Sequence, residues 1–428
     1  MSQRAQDAIR SGSTNLMWDV MGDLWCPSTN PGGYVNVGVA ENVLMHDHLL
    51  AYINTQLTLP AKFLTYNDGG SGSTRLKRAI AKFLNRHLNP VIPLEPSHLL
   101  VTNGVSSAIE HVSWAFTDPG EGVLLGKPFY GTFIPDISLR PGTTVIPVNF
   151  GACDPFCLEA VDKYEQALLD FQQTGRRVKA LMLCHPHNPL GRCYPRGVII
   201  KLMQLCQKYR VHLISDEIYA LSVWENTVDK HPEPTKFESA LSIDLSGIID
   251  PQLVHVLWGM SKDFGANGFR IGVIISQTNR DLHTALKGTS LYSYASGVSD
   301  YLASIILDDT HFTDEYLALN CQKLSESYAY TVEFIRRHGI EYAPGTNAAF
   351  FLWVNLGKKY REIHPGETNG DDHDVTDKVM QLLLQKRVFL ASGALFGSER
   401  SGWFRIVFSQ PREYLAEALQ RILAALED

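Results

Sequence analysis

Three polar clusters each follow a short apolar run in this 428-residue chain: His187-Asn188-Pro189-Leu190-Gly191, Ser215-Asp216-Glu217-Ile218-Tyr219 and Gly259-Met260-Ser261-Lys262. Apolar runs of that kind read as strands buried on both faces, and open α/β sheets bind ligands beyond the carboxyl ends of their strands. That rule gathers Asn188, Asp216, Tyr219 and Lys262 into one crevice. A lysine whose pKa is lowered by its surroundings is a carbonyl-reactive amine. A buried aspartate can keep a proton on a heterocyclic nitrogen, and a tyrosine hydroxyl can bond a phenolate-like oxygen.

Together these are the demands of pyridoxal 5'-phosphate (PLP): a lysine for attachment, a carboxylate at the ring nitrogen, donors to the ring hydroxyl and a cationic phosphate cradle. Arg270, beyond Gly265 and Gly268, can supply the charge. The turn Gly104-Val105-Ser106 precedes a helical pattern and offers backbone N–H groups and a hydroxyl to an anion.

The elements that must hold these residues are legible as alternating patterns. Leu99–Val101, Val123–Leu125, Ala180–Cys184, Val211–Ser215 and Val254–Leu257 read as strands. Helical spacing predicts Thr74–Leu88, with Leu76, Ile80, Phe83 and Leu84 on one face, a helix carrying Ala108, Ile109, Val112 and Ala115, and Val198–Tyr209. The alternation predicts an α/β fold with a parallel sheet covered on both faces. Past about residue 310 the pattern changes to a long helix (Phe312–His338), a strand (Phe350–Val354), a charged loop (Gly366–Asp374), a helix (Val375–Arg387) and a strand (Phe404–Phe408). The expected division is an N-terminal arm and part of a small domain over 1–60, a large domain over 61–305 and a small α+β domain over 306–428. Residues 1–35, rich in Gly, Pro, Ser and Asn, read as irregular.

Composition narrows the function. A net charge of −7 and a pI of about 6.1 argue against a nucleic-acid partner, which requires a basic face. No apolar stretch is long enough for a spanning helix, and the first residues lack the apolar core of a secretory signal. The seven cysteines include no CxxC pair, so free thiols in a cytoplasmic setting are expected. Gly69-Gly70-Ser71-Gly72 lacks the Lys-Ser/Thr that would make it a nucleotide-binding loop. His46-Asp47-His48 and Asp371-Asp372-His373-Asp374 match no metal-ligand spacing and read as solvated loops.

Ser261-Lys262-Asp263-Phe264-Gly265-Ala266-Asn267-Gly268-Phe269-Arg270 resembles the lysine motif of fold-type I PLP enzymes in the class I/II aminotransferase superfamily. It is most similar to the version in 1-aminocyclopropane-1-carboxylate (ACC) synthase-like proteins. Asn188-Pro189-Leu190-Gly191, Ser215–Tyr219, Gly38-Val39-Ala40-Glu41-Asn42 and Ser401-Gly402-Trp403-Phe404-Arg405 resemble that family's other site segments in the expected order. The resemblance implies a mostly parallel central sheet sandwiched by helices, with a smaller α+β domain. It implies that Lys262 carries the cofactor and moves the proton, that Asp216 meets the ring nitrogen, and that Asn188 and Tyr219 meet the ring hydroxyl. Tyr130 would stack on the ring, and Val105, Ser106, Ser261 and Arg270 would hold the phosphate. Arg405 would clamp the substrate α-carboxylate with help from Asn188 and the Ala40 backbone, and Glu41 lies in the same substrate segment. A homodimer with shared sites is implied, with the Gly69–Ser73 turn, Tyr66 and the N-terminal arm as crossing segments.

Two positions depart from the family pattern. A Tyr is usual where Gly70 stands, and a phosphate-binding Ser where Gly259 stands; Ser71 or Ser73 is the expected substitute. The motif match favours lyase chemistry on an S-adenosylmethionine-type substrate, with transamination of an amino acid and a C–S lyase or replacement reaction as alternatives.

Overall fold

Short runs of Val, Leu and Ile become a seven-stranded sheet: β1 (Leu99–Asn103), β2 (Gly122–Gly126), β3 (Thr144–Val148), β4 (Val178–Cys184), β5 (His212–Asp216), β6 (Val254–Gly259) and β7 (Ile271–Ile275). Their order is β1-β7-β6-β5-β4-β2-β3. The computed structural model describes residues 1–10, 15–366 and 372–428. Every residue of β2, β6 and β7 is buried, which is why these strands are apolar without alternation.

The expectation of a parallel sheet needs one correction. β7 runs antiparallel to both its neighbours, β1 and β6. Only residues 260–270 connect β6 to β7, and a parallel crossover needs a dozen or more residues, usually with a full helix. The chain therefore returns antiparallel after a single helical turn, Met260–Asp263, and a 3₁₀ turn, Asn267–Phe269. β3 was not anticipated because Pro147 interrupts it. It pairs only with β2, and an edge strand tolerates the missing N–H.

This topology decides where the polar clusters fall. β1, β4, β5 and β6 point the same way, so their carboxyl ends share one edge of the sheet. The antiparallel β7 starts at that edge, which brings Arg270 to it.

Helices cover the sheet. Thr74–Leu88 buries Leu76, Ile80, Phe83 and Leu84, as its spacing predicts. Ser73 caps it, its hydroxyl accepting from the Leu76 N–H at 3.0 Å, a contact worth about 1 kcal/mol. Arg196–Tyr209 buries Val198, Leu202 and Cys206.

A second, antiparallel sheet follows: β8 (Glu341–Tyr342), β9 (Phe351–Asn355), β10 (Ala391–Ser392) and β11 (Trp403–Val407), in the order β10-β11-β9-β8. The 28-residue helix Thr310–Arg337 leads into it. The two chain ends meet here, because Val35–Asn36 pairs parallel to Val388–Phe389.

Residues 1–35 are less irregular than expected. Helices form over Gln3–Arg10 and Asn15–Met21, since Gln, Ala, Arg, Leu and Met are good helix formers; the Gly/Pro-rich part is confined to the stretch that follows. The charged loop expected over 366–374 falls mainly on 367–371, outside the described residues, as does Asp371 of the Asp-Asp-His-Asp run; the next helix is Asp372–Gln385. Among the described residues no helix is long and apolar enough to cross a membrane.

Candidate active site

At the shared strand edge the structure encloses a cavity of about 190 Å³. Its wall contains all nine residues expected around the cofactor: Val105, Ser106, Tyr130, Asn188, Asp216, Tyr219, Ser261, Lys262 and Arg270. Asp216 ends β5, Lys262 sits in the turn after β6, and Arg270 immediately precedes β7. Val105 and Ser106 open the helix Val105–Phe116, whose first N–H groups have no intrahelical partners.

Electrostatics inside the cavity are unbalanced. Burial pushes the Asp216 carboxyl up to about 7; the Ile218 N–H and Lys262 oppose that rise and Asp136 adds to it. Its bond from the Ile218 N–H is long, at 3.3 Å. Lys262 is pushed down to about 8, first by burial and then by the positive charge of Arg405, with Glu41 pulling the other way. Its ammonium donates to the Ala40 carbonyl at 2.6 Å. Tyr219 is 2% exposed, its hydroxyl held protonated by burial, and it meets Phe350 and Phe351 edge-on at 5.5 and 5.2 Å.

Arg405 comes from β11, in the second sheet, and is 3% exposed. Its guanidinium donates to Asn188 Oδ1 at 2.8 Å and to the Gly38 carbonyl at 2.6 Å. The Phe351 and Phe396 rings flank it at 4.4 and 4.8 Å. Its Nε has no partner, and no carboxylate among the described residues pairs with it. Burial pushes its pKa down to about 10. A buried guanidinium without an anion is costly unless a ligand brings one. The backbone contact comes from Gly38 rather than from Ala40, whose carbonyl serves Lys262. Glu41 Oε1 accepts from Asn267 Nδ2 at 3.3 Å.

Three glycines shape the cradle beside Arg270. A Cβ on Gly104 would lie 2.2 Å from Arg270 Nη2, and one on Gly272 would lie 2.4 Å from the Gly104 backbone. Gly259 is equally tight, with the Ile271 carbonyl 2.6 Å from where its Cβ would be. The serine usual at 259 has no room here. Nor has any side chain at Gly70, where the Ser290 carbonyl would lie 2.3 Å from a Cβ. The expectation that Ser71 or Ser73 substitutes is not met within the chain. Ser73 Oγ donates to Asp300 at 2.6 Å, and Ser71 Oγ accepts from Lys77 at 2.8 Å. A buried serine at a helix start is first of all a cap.

Cys184, Ile109, Ile218 and Asn267 also line the cavity, and sequence reasoning did not single them out. Asn267 lay inside the lysine motif and was readable there. Asp136 was not: burial pushes it up to about 7 while Ser106 and Arg270 oppose the rise, and nothing in its local sequence marks it as a neighbour of the cradle.

Residues 62–422 match the family described as aminotransferase class I and II. The probable aminotransferase gliI of Aspergillus fumigatus is 34% identical over 398 residues, covering 91% of this chain and 88% of that protein. The 1-aminocyclopropane-1-carboxylate synthase-like protein 1 of Mus musculus is 32% identical over 408 residues, 93% of this chain and 77% of that protein. Among solved structures, an aspartate aminotransferase from Thermotoga maritima superposes with a TM-score of 0.73 at 22% identity, covering both chains completely; this likeness concerns the fold.

Proposed function

The chain belongs to the class I and II aminotransferase family and is a PLP-dependent enzyme of it, and from that premise we propose that it acts at the α-carbon of an amino acid, transferring the amino group. The observation that carries the substrate class is Arg405, a buried guanidinium that lies behind the cavity wall, bonded to the lining Asn188, with no anionic partner among the described residues. A free α-carboxylate supplies that anion through two parallel hydrogen bonds.

The residues fit the cofactor on two counts. Asp216 is a buried carboxyl with one weak donor, suited to a protonated ring nitrogen. Gly104 and Gly272 leave the backbone bare beside Arg270, where a phosphate needs close approach. Lys262 would carry the cofactor, Asn188 and Tyr219 would meet its ring hydroxyl, Tyr130 its ring face, and Val105, Ser106, Ser261 and Arg270 its phosphate. When bound, PLP supplies a sink for the electron pair left at Cα.

The chain's own residues do the rest. Asp216 keeps the proton on the ring nitrogen. Lys262, with a pKa of about 8, is neutral in a large fraction near that pH and takes the proton from Cα. Arg405 and Asn188 would fix the carboxylate and so set how Cα is presented to Lys262.

A second reading, lyase chemistry on an S-adenosylmethionine-type substrate, is supported by the likeness to ACC synthase-like proteins. One experiment separates them. The holoenzyme is mixed with a panel of amino acids and with S-adenosylmethionine. Release of a keto acid supports transfer; methylthioadenosine release supports the lyase and overturns the first reading. The proposed assembly is a homodimer, with Tyr66, 80% exposed, among the crossing candidates. Sedimentation of the holoenzyme checks it, and an active monomer refutes it. The division at about residues 60 and 305 is proposed alongside.

A further inference from the structure

Between β3 and the helix Ala160–Gln173 the chain makes two consecutive turns. The Cys153 N–H donates to the Phe150 carbonyl and the Cys157 N–H to the Asp154 carbonyl, each at 3.1 Å. These turns fold two cysteines onto each other, with their Sγ atoms 3.2 Å apart. That is closer than two unbonded sulfurs usually sit, and about 1 Å beyond a disulfide bond. Both thiols are partly exposed.

The loop is held from outside. Glu399, from the segment between β10 and β11, accepts the Phe150 N–H at 2.9 Å and the Gly151 N–H at 3.2 Å. Arg192 pairs with Asp154 at 3.2 Å. Cys153 also lines a second cavity, of about 320 Å³, together with Lys127, Arg192, Trp353, Arg400 and Trp403. This cavity is separate from the reaction cavity and shares no lining residue with it. A small oxidant can reach Cys153 from it without passing Lys262.

We propose that Cys153 and Cys157 form a reversible oxidation site for small hydroperoxides, at the junction of the central sheet and the second sheet. The Cys153 thiolate attacks a peroxide oxygen, since burial and hydrogen bonds to Cys153 and Glu159 push the Cys157 thiol up to about 11; an S–O bond forms, the O–O bond breaks, and the alcohol or water departs. The second sulfur then displaces the S–O oxygen as water, and the S–S bond forms. Two thiols lose two electrons and two protons, and ROOH becomes ROH and H₂O. An external thiol reverses the reaction by exchange. Only three residues separate the cysteines, and the turns already hold the sulfurs in contact, so closing the ring orders little additional chain.

The test uses the full-length holoenzyme carrying Cys26→Ser, because Cys26 is partly exposed and its thiol is shifted down to about 6 by hydrogen bonds from Ser28 and Thr29. The protein is treated with one equivalent of hydrogen peroxide, then digested without reductant and weighed. The expected product is a loss of about 2 Da in the peptide holding both cysteines, reversed by dithiothreitol. It should form at least about tenfold faster in the native protein than in the urea-unfolded chain, since the fold supplies the proximity. Cys153→Ser and Cys157→Ser should each abolish the 2 Da loss and leave the remaining sulfur to gain oxygen. The proposal is overturned if the native pair gains oxygen without a disulfide, or stays reduced while the unfolded chain reacts. Equal rates in the native and unfolded chains also overturn it.

Discussion

Asp216 and Asp229 are both buried carboxylates, 4% and 7% exposed, in opposite surroundings. Around Asp229 burial pushes the pKa up, but hydrogen bonds from Tyr328, Tyr342, Asn226 and the Gly345 N–H outweigh it and bring it below the usual range. Tyr342 donates at 2.6 Å, Arg336 at 2.7 Å and Asn226 at 3.0 Å, and the Tyr328 hydroxyl also donates. This is a carboxylate finished by its own chain, tying Thr310–Arg337 to β8. Asp216 has one long bond and a raised pKa. Arg405 repeats the contrast: Arg336 has its carboxylate, while the more deeply buried Arg405 has none among the described residues. At Asp229 the chain pairs its own buried charge; on the proposed function, Asp216 and Arg405 await a ligand instead, at a cost in stability.

The largest break of that comparison is Asp216→Asn. Turnover should fall by about a thousandfold or more, several kcal/mol of transition-state stabilisation, because an amide cannot hold the ring nitrogen protonated. The cofactor-free variant should nevertheless be more stable than the parent. The folded state holds the Asp216 proton to about pH 7, whereas the unfolded chain releases it near the ordinary value of 3.8. The parent's stability therefore falls as pH rises through that window, by up to about 4 kcal/mol, and stays low above it. Urea unfolding of both cofactor-free proteins at pH 4.5 and pH 8 reads the difference. Near-normal single-turnover rates, or a stability gap that does not widen with pH, would contradict the account.

Arg405→Lys comes next. A point charge replaces a planar fork, so substrate binding should weaken by tens of fold, about 2–3 kcal/mol. The spectrum of the bound cofactor without substrate should barely move. Decarboxylated analogues should bind the parent poorly and lose little more in the variant; equal losses for both ligands would assign the carboxylate to another cation.

Asp229→Asn sharpens the other side of the contrast. Stability should drop by about 2 kcal/mol as the five-donor cluster loses its charge, with turnover per folded molecule unchanged. A variant that keeps its stability and loses activity would reverse the assignment of the two regions. The smallest effect is expected from Gly259→Ser, which restores the family's usual residue. The Ile271 carbonyl stands 2.6 Å from the new Cβ, so stability should fall by about 1–2 kcal/mol without tighter cofactor retention. Slower cofactor loss in the serine variant would show that the cradle can open to admit it.

Much of the site was legible because its residues stand at the ends of apolar runs, and one rule of sheet topology collects such ends. Asp216, Asn188 and Lys262 fall together for that reason, although they are far apart in sequence. Contacts made across the chain were not legible. The Ser290 carbonyl that closes Gly70 lies some 220 residues away, and Asp136 reaches the cradle from a short helix with no mark of its own. The antiparallel β7 was hidden directly after the lysine motif, and β3 behind Pro147. Ser71 and Ser73 were read as substitutes for the family's phosphate-reaching residue; within one chain a helix cap and Asp300 engage Ser73, and Lys77 engages Ser71.

The most direct test of the central claim locates the cofactor on the chain. The holoenzyme is reduced with borohydride, digested, and the pyridoxyl-bearing peptide sequenced. The account predicts a single labelled residue, Lys262, and no label in Lys262→Ala. A label on any other lysine, or a holoenzyme that yields none, would contradict it.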